Sequence, residues 1–437
     1  MSQFSRRGML KSAGALAAGV ALPKWFVEET MDAAEPKAPT SANDKPNIAL
    51  VGCGGRGRGD IRDASKFGNV VALCDVDEKH VNGAAVDYPG AKTYRDFRKV
   101  MERDDIHAIV CATPDHWHTL VNLAALRSGK DVYSEKPLTL TIQEGKVLVE
   151  TVKKTGRVLQ VGSQQRSDAN FRLACELVRN GRIGKLQEVQ VVIPRGHREG
   201  PFPNEEVPKE LDWDFWQGQA PTQAYCHQRV HGTFRFWYEY SGGTMTDWGA
   251  HHNDIARWGI GQDGPLSVDG KALSDLIPGG YNAYADYKVE YTWADGVKST
   301  CLSTPADQWN GAQTKGETGP HNGVTFKGAD GWIFVTRGKL TASDPELLKQ
   351  PLAADAVRLS TSNNHMGNFF ECIRTRKPTA ATAETGHRSV SVCHLGNISM
   401  RLGRKLNWDP VKEQFDDAEA NKWLSREMRS PWSLQGA

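Results

Sequence analysis

The sequence predicts an α/β protein in two parts, a doubly wound parallel sheet followed by an α/β domain on a large open, mainly antiparallel sheet. Three observations carry that expectation. Strand-like and helix-like stretches alternate from Asn47 to about Gln165. The first strand runs into glycines spaced G-x-G-x-x-G, and an acidic residue closes the next strand. Beyond Gln165 the apolar residues shift to a two-residue period. Regular alternation implies parallel strands with helices on both faces. A two-residue period implies a sheet with one face covered.

The elements follow in order. Ile48 to Val51 is an apolar run between Pro46 and the glycine cluster, suited to a strand buried on both faces. Gly52 permits a tight turn, Gly54 lets a pyrophosphate approach the backbone, and Gly57 lets helix pack on strand. Gly55 and Arg56 lie between them, where the helix that begins there can aim free N–H groups at phosphates. Val70 to Leu73 is the next strand, and Asp75 follows, 18 residues after Gly57. A carboxylate there is placed to bind both ribose hydroxyls of NAD and to repel the extra phosphate of NADP. Arg56 and Arg58 could reach such a phosphate, so NADP stays as the less favoured cofactor.

Helices are expected at Glu78 to Val86, Arg95 to Arg103, His116 to Ser128 and Ile142 to Thr155. Between them lie strands at Ala91 to Thr93, His107 to Ala112, Asp131 to Glu135 and Val158 to Gly162. These complete a nucleotide-binding Rossmann domain over 46–165. The second domain, 166–437, opens with a helix at Phe171 to Asn180 and a strand at Gln187 to Ile193. Further strands are expected at Tyr287 to Trp293, Val297 to Ser303, Val324 to Lys327 and Trp332 to Thr336, with late helices at Met366 to Arg374 and Gly386 to Leu402.

Ahead of both domains, Ser5-Arg6-Arg7-Gly8-Met9-Leu10-Lys11 precedes a weakly apolar run, Ser12 to Leu22. It resembles a twin-arginine export signal, expected over 1–34 with cleavage near Ala33-Ala34, and 35–45 reads as a Pro/Ala/Ser linker. That implies a periplasmic or otherwise exported protein, and twin-arginine routes carry chains already folded. With 54 basic and 52 acidic residues in 437, the charge balance gives no reason to expect nucleic acid as a partner. No apolar run approaches the length that spans a bilayer. The eight cysteines are scattered, with neither disulfide nor metal-type spacing.

Two stretches carry chemistry. Lys136, in Tyr133-Ser134-Glu135-Lys136-Pro137, sits at the carboxyl end of a parallel strand, the edge where open α/β sheets bind ligands. In Gly242-Gly243-Thr244-Met245-Thr246-Asp247-Trp248-Gly249-Ala250-His251-His252, Asp247 and His251 stand at i and i+4 of a helix. A carboxylate so placed could orient a general acid/base imidazole. Asp247, His251 and His252 could instead hold a metal, but no cysteine or third obvious ligand accompanies them, so no metal is expected.

Taken together, these motifs resemble the Gfo/Idh/MocA oxidoreductases over nearly all of the chain after the linker. GCGGRG looks like the family's nucleotide loop, and Ala112-Thr113-Pro114-Asp115-His116-Trp117-His118 like its next cofactor-side loop. Glu135-Lys136-Pro137 is similar to its E-K-P signature and Asp247-x-x-x-His251 to its D-x-x-x-H pair. Gly386-His387-Arg388-Ser389 through Asn397 is similar to its exported, sugar-directed branch.

The resemblance implies that Thr113, Pro114, His118, Glu135 and Lys136 join the glycine loop and Asp75 at the cofactor. It implies Lys136 beside the reacting hydroxyl, His251 as acid/base oriented by Asp247, and a proline after the lysine that is often cis. It also implies a homo-oligomer, dimer or tetramer, built through the second sheet. Substrate contacts are sought among Asp115, His116, Arg166, His197, Trp248 and His252. Trp213, Trp216, Trp237, Trp248 and Trp258 crowd one span, with Tyr225, Tyr238 and Tyr240, and flat aromatic faces suit sugar rings. Outside the cytoplasm there is no NAD pool, so a tightly held cofactor recycled within each turnover is expected. Coupled sugar oxidation and reduction would do this, as would NAD-dependent glycoside cleavage. The rival from another class is a non-catalytic sugar-binding protein on the same fold.

Overall fold

The computed structural model describes residues 22–31, 45–303 and 322–436. The twin-arginine stretch, the expected cleavage point and most of the linker lie outside the described residues. The first sheet has strands β1 (Asn47–Val51), β2 (Asn69–Cys74), β3 (Lys92–Tyr94), β4 (Ala108–Cys111), β5 (Asp131–Ser134) and β6 (Leu159–Val161). Their spatial order is β3-β2-β1-β4-β5-β6 and every pairing is parallel. The order reverses beside β1, and open sheets leave a ligand crevice at the carboxyl ends of such a switch point. β4 and β5 are buried along their whole length, as continuous apolar runs covered on both faces require.

The second sheet comprises β7 (Leu186–Val192), β8 (Ser267–Ala272), β9 (Tyr287–Thr292), β10 (Lys298–Ser303), β11 (Gly323–Gly328), β12 (Trp332–Thr336), β13 (Lys339–Ala342), β14 (Leu406–Asp409) and β15 (Gln414–Phe415). Their order is β13-β12-β11-β7-β10-β9-β8-β14-β15, antiparallel except where β10 meets β7. In β9, Tyr287, Val289 and Tyr291 are buried and the residues between them are not. One face thus packs on the helices Ala169–Arg179, Gly249–Ile260 and Ala383–Leu402, and the other alternates outward.

The chain beyond residue 165 also completes the first domain. Met366, Phe369 and Phe370, on the helix His365–Thr375, join one of its apolar clusters, and Met428 and Trp432 pack against the other. At the amino end, the helix Lys24–Met31 lies within the stretch expected as a leader. Its Phe26 is fully buried in the core of the second domain, beneath the Arg172 guanidinium at 4.2 Å.

Candidate active site

The glycine loop forms as its spacing demands. Gly52 has φ +94°, and a Cβ there would stand 2.5 Å from the Ala112 carbonyl carbon. A Cβ on Gly57 would meet the Gly52 oxygen at 2.0 Å. Gly54 precedes the helix Gly55–Ala64, whose first N–H groups open into a cleft of about 330 Å³. Asp75 lies at one end of this cleft; Thr113, Pro114, Asp115, His118, Glu135 and Lys136 lie toward the other. Its second wall comes from the other domain, through Trp216, His231, Phe234 and Arg235.

Asp75 is held by backbone, accepting from Cys53 N at 2.7 Å and Asp77 N at 2.9 Å. Arg56 is committed to Glu135 at 3.0 Å and Asp60 at 2.6 Å, and Arg58 to Asp87 at 2.8 Å. The two arginines that might have received a 2′-phosphate are thus paired with carboxylates. His118 is buried, with Nδ1 2.7 Å from the Pro137 oxygen and Nε2 2.9 Å from the Thr113 oxygen. It ties the two cofactor-side loops together. The Lys136–Pro137 peptide is cis.

At the far end, Lys136 Nζ donates to Asp247 Oδ1 at 2.5 Å and to its carbonyl at 3.1 Å. Arg235 Nε donates to the same carboxylate oxygen at 3.0 Å. Burial alone would raise the Asp247 carboxyl, but Lys136 and Arg235 outweigh it and hold it below its ordinary range. The expected pairing of Asp247 with His251 does not form, and this corrects the helical register assumed for them. The helix Thr244–Asp247 breaks at Trp248, a second begins at Gly249, and Asp247 turns to Lys136 instead.

His251 is buried and does not itself line the cleft, and its Nδ1 has no hydrogen-bond partner among the described residues. Burial, then the cations of Lys136 and Arg337, push its pKa well below that of a free imidazole, so it stands neutral. Gln165 lies beneath it: with the amide turned so that nitrogen donates to the His251 carbonyl at 3.0 Å, its oxygen accepts from Arg337 Nε at 3.3 Å. The Arg337 guanidinium lies 5.0 Å from the Trp248 ring.

The remaining candidates divide. Asp115 lines the cleft, accepts a bond from the Ser241 hydroxyl, and is raised by burial. Trp248 adjoins His251 and His252, with ring centroids 6.2 and 5.8 Å apart. His252 Nε2 bonds Asn322 at 2.7 Å, and burial lowers it to about 4. Neither Trp248 nor His252 lines the cleft, and three further expected contacts are placed elsewhere. His116 is fully buried between Trp216 and Tyr240, bonded to the Trp216 carbonyl, and burial lowers it to about 3. Arg166 closes a buried two-pronged pair with Asp254, both contacts 2.7 Å. His197 is half-exposed beside Glu199, outside the cleft.

Sequence reasoning missed Arg235, Gln164, Gln165 and Arg337. Gln164 Nε2 donates to Glu135 at 2.9 Å. All four come from segments whose approach to Lys136 depends on tertiary packing, and no local pattern marks them. The late His387 to Asn397 run is structural in placement: His387 bonds Glu413 at 2.6 Å, His394 the Thr139 carbonyl at 3.1 Å, and Asn397 the Gly242 carbonyl at 2.9 Å.

Comparison with known proteins matches both domains. Residues 46–163 match a family described as an oxidoreductase family, NAD-binding Rossmann fold, and residues 196–434 match its C-terminal alpha/beta domain. Inositol 2-dehydrogenase 2 of Saccharopolyspora erythraea is 30% identical over 221 residues, 50% of this chain and 54% of that protein. Glycosyl hydrolase family 109 protein 2 of Shewanella sp. strain ANA-3 is 30% identical over 205 residues, 43% of this chain and 45% of that protein. The chain thus spans about half the length of the curated relatives it matches. The WlbA dehydrogenase of Bordetella pertussis, solved with NADH and UDP-GlcNAcA, shares the fold at a TM-score of 0.62 and 19% identity, covering 84% of this chain and 99% of that one.

Proposed function

The chain belongs to the Gfo/Idh/MocA oxidoreductase family, and from that premise we propose that it moves a hydride between bound NAD and a hydroxyl of a sugar or glycoside. The observation that carries this reading is the meeting of Lys136 and Asp247 from two domains, with neutral His251 beside them. NAD supplies the hydride acceptor when bound. Lys136 offers an ammonium to the oxygen that gains negative charge as the hydroxyl proton leaves. His251 takes the hydroxyl proton on its neutral imidazole. Asp247 fixes Lys136 rather than the imidazole. Trp248 offers an aromatic face to the C–H face of a sugar ring, with His252 beside it, and Asp115 is a further polar contact from the cleft wall.

Among the described residues no helix is long and apolar enough to cross a membrane. Export by the twin-arginine route is part of the proposal, as is a nucleotide retained and recycled within each turnover. A homo-oligomer formed through the open face of the second sheet completes it. The glycosyl hydrolase family 109 relatives favour a second net reaction, in which oxidation is followed by elimination, hydration and reduction, cleaving a glycoside. One experiment tests both. The purified protein is denatured and the released nucleotide identified; intact protein is then exposed to a panel of sugars and glycosides. A change in the NADH absorbance band, or a cleaved glycoside, supports catalysis. Silence across the panel with NAD bound supports a sugar-binding role instead.

A further inference from the structure

The end of the cleft beside Asp75 is roofed. His80, on the helix Glu78–Ala85, turns its Nδ1 toward Asp75 Oδ2 at 3.6 Å, and its ring faces the glycine loop. A Cβ added to Gly54 would stand 3.8 Å from that ring. From the second domain, His231 reaches across: its ring centroid is 4.5 Å from that of His80, and its Nε2 is 3.5 Å from Asp77 Oδ2. His231 has φ +56°, a backbone conformation costly for any residue with a Cβ.

The surrounding segments are stitched across the domains. Glu78 N donates to the Glu210 carbonyl at 3.0 Å, Asp212 N to the Val76 carbonyl at 3.1 Å, and Lys79 pairs with Glu210 at 3.3 Å. His231 thus stands at this mouth beside segments bonded across the domains, in a conformation that neither helix nor strand would give it.

We propose that His231 closes against His80 over the ribose end of the nucleotide cleft, so that the two rings form a clasp that retains the dinucleotide. The inference rests on the NAD reading of the cleft and adds to it the residues responsible for retention. A nucleotide whose ribose lies at Asp75 leaves past the two rings. Parting them means separating the 227–236 segment from the strand-end segment 75–80. At the other end the Lys136–Asp247 contact is also made between domains, and its place is at the proposed chemistry. Slow exchange past the two rings is what internal recycling requires.

The test is release, read without turnover. Wild-type protein and His231→Gly are loaded with NADH, and release is followed by fluorescence after a chase with excess NAD. Glycine accepts φ +56° without strain, so the variant loses the ring and keeps the loop. The expected result is release about tenfold faster or more in the variant, the change that loss of about 1.4 kcal/mol of contact gives. Equal release rates overturn the clasp while leaving the catalytic reading intact; failure of wild-type protein to bind any nicotinamide nucleotide overturns that reading itself. The ligand atoms of Asp77, His80 and His231 lie within 4.8 Å of one another, near enough to share an ion. Wild-type release accelerated by a chelator to the variant's rate overturns direct ring contact in favour of a bridging metal.

Discussion

Lys136 of the first domain and Asp247 of the second are joined at 2.5 Å, Nζ to Oδ1, and Lys136 also donates to the Asp247 backbone carbonyl. One residue follows the end of a strand of the parallel sheet; the other ends a short helix packed on the helices Gly249–Ile260 and Ala383–Leu402. Their contact fixes the position of the ammonium relative to the nucleotide cleft, and it sets the relative placement of the two domains where chemistry is proposed. Arg235 shares the same carboxylate oxygen, so a single anion holds two cations in place.

Asp247→Asn removes that anion while keeping the side chain's shape. Lys136 and Arg235 then repel each other across a neutral amide, and the ammonium loses its fixed position. We expect turnover to fall about 10²–10³-fold, the cost of misplacing one preorganised charge-stabilising group. Nucleotide content stays at the wild-type level, because the glycine loop and Asp75 are untouched. Lys136→Ala gives the same pattern, with nucleotide kept and turnover lost. Steady-state kinetics paired with quantification of released nucleotide decides the matter; activity within a few-fold of wild type takes the pair out of the mechanism.

His251 supplies a pH dependence. Its folded pKa lies below that of a free imidazole, through burial first and the cations of Lys136 and Arg337 next. It therefore remains an unprotonated base as pH falls through the ordinary histidine range, and the acid limb of kcat/KM lies below that range. Arg337→Gln removes one of those cations. The depressed pKa then rises, the imidazole protonates at higher pH, and the acid limb moves upward. A pH–rate profile of the two proteins shows the shift, and superimposable profiles would separate Arg337 from His251.

Legibility followed the range of the interactions. Gly52 and Gly57 were readable because their demands are local: a turn with φ +94° at Gly52, and a Cβ on Gly57 that would meet the Gly52 oxygen. The Asp247–His251 pairing was misread because the i, i+4 rule presumes an unbroken helix, whereas the chain is interrupted at Trp248 and Asp247 is drawn to Lys136. β8 escaped notice because Ser267-Val268-Asp269-Gly270-Lys271-Ala272 has little strand propensity of its own. Gly270 is there for the helix Ala383–Leu402, since a Cβ would meet the Met400 side chain at 2.8 Å. Most tryptophans of the aromatic span are core, while Trp216 lines the cleft and Trp248 adjoins His251. Composition could not sort them, because burial of each depends on which partner reaches it.

Asp75 is expected to govern cofactor choice. Asp75→Ala removes the proposed ribose acceptor and also leaves the Cys53 and Asp77 N–H groups without theirs. NAD affinity is expected to fall about tenfold to a hundredfold, the worth of one or two hydrogen bonds to a charged group. Rejection of NADP relaxes at the same time, because the repelling carboxylate is gone. Titration of nucleotide-free protein with NAD and with NADP measures both effects, and unchanged affinities refute the ribose assignment.

The amino-terminal helix yields a prediction about both stability and processing. Phe26 is fully buried in the core of the second domain and lies beneath Arg172, which is itself buried and paired with Glu176 at 3.1 Å. Thr30 accepts a bond from Arg172 and donates to the Phe26 carbonyl at 2.6 Å. Phe26→Ala therefore deletes an aromatic ring from a packed interior, and a loss of about 3–5 kcal/mol is expected from such truncations. Denaturant unfolding monitored by fluorescence reads it. Cleavage near Ala33-Ala34 would strip the same side chain from the mature protein and leave Arg172 facing an apolar hole. On the export route proposed above, a leader peptidase acting on an already folded substrate would meet this helix docked, and the mature chain would then begin at or before Leu22. Intact mass of exported protein settles the point, and a mature terminus beyond Met31 would show that the docked helix is dispensable.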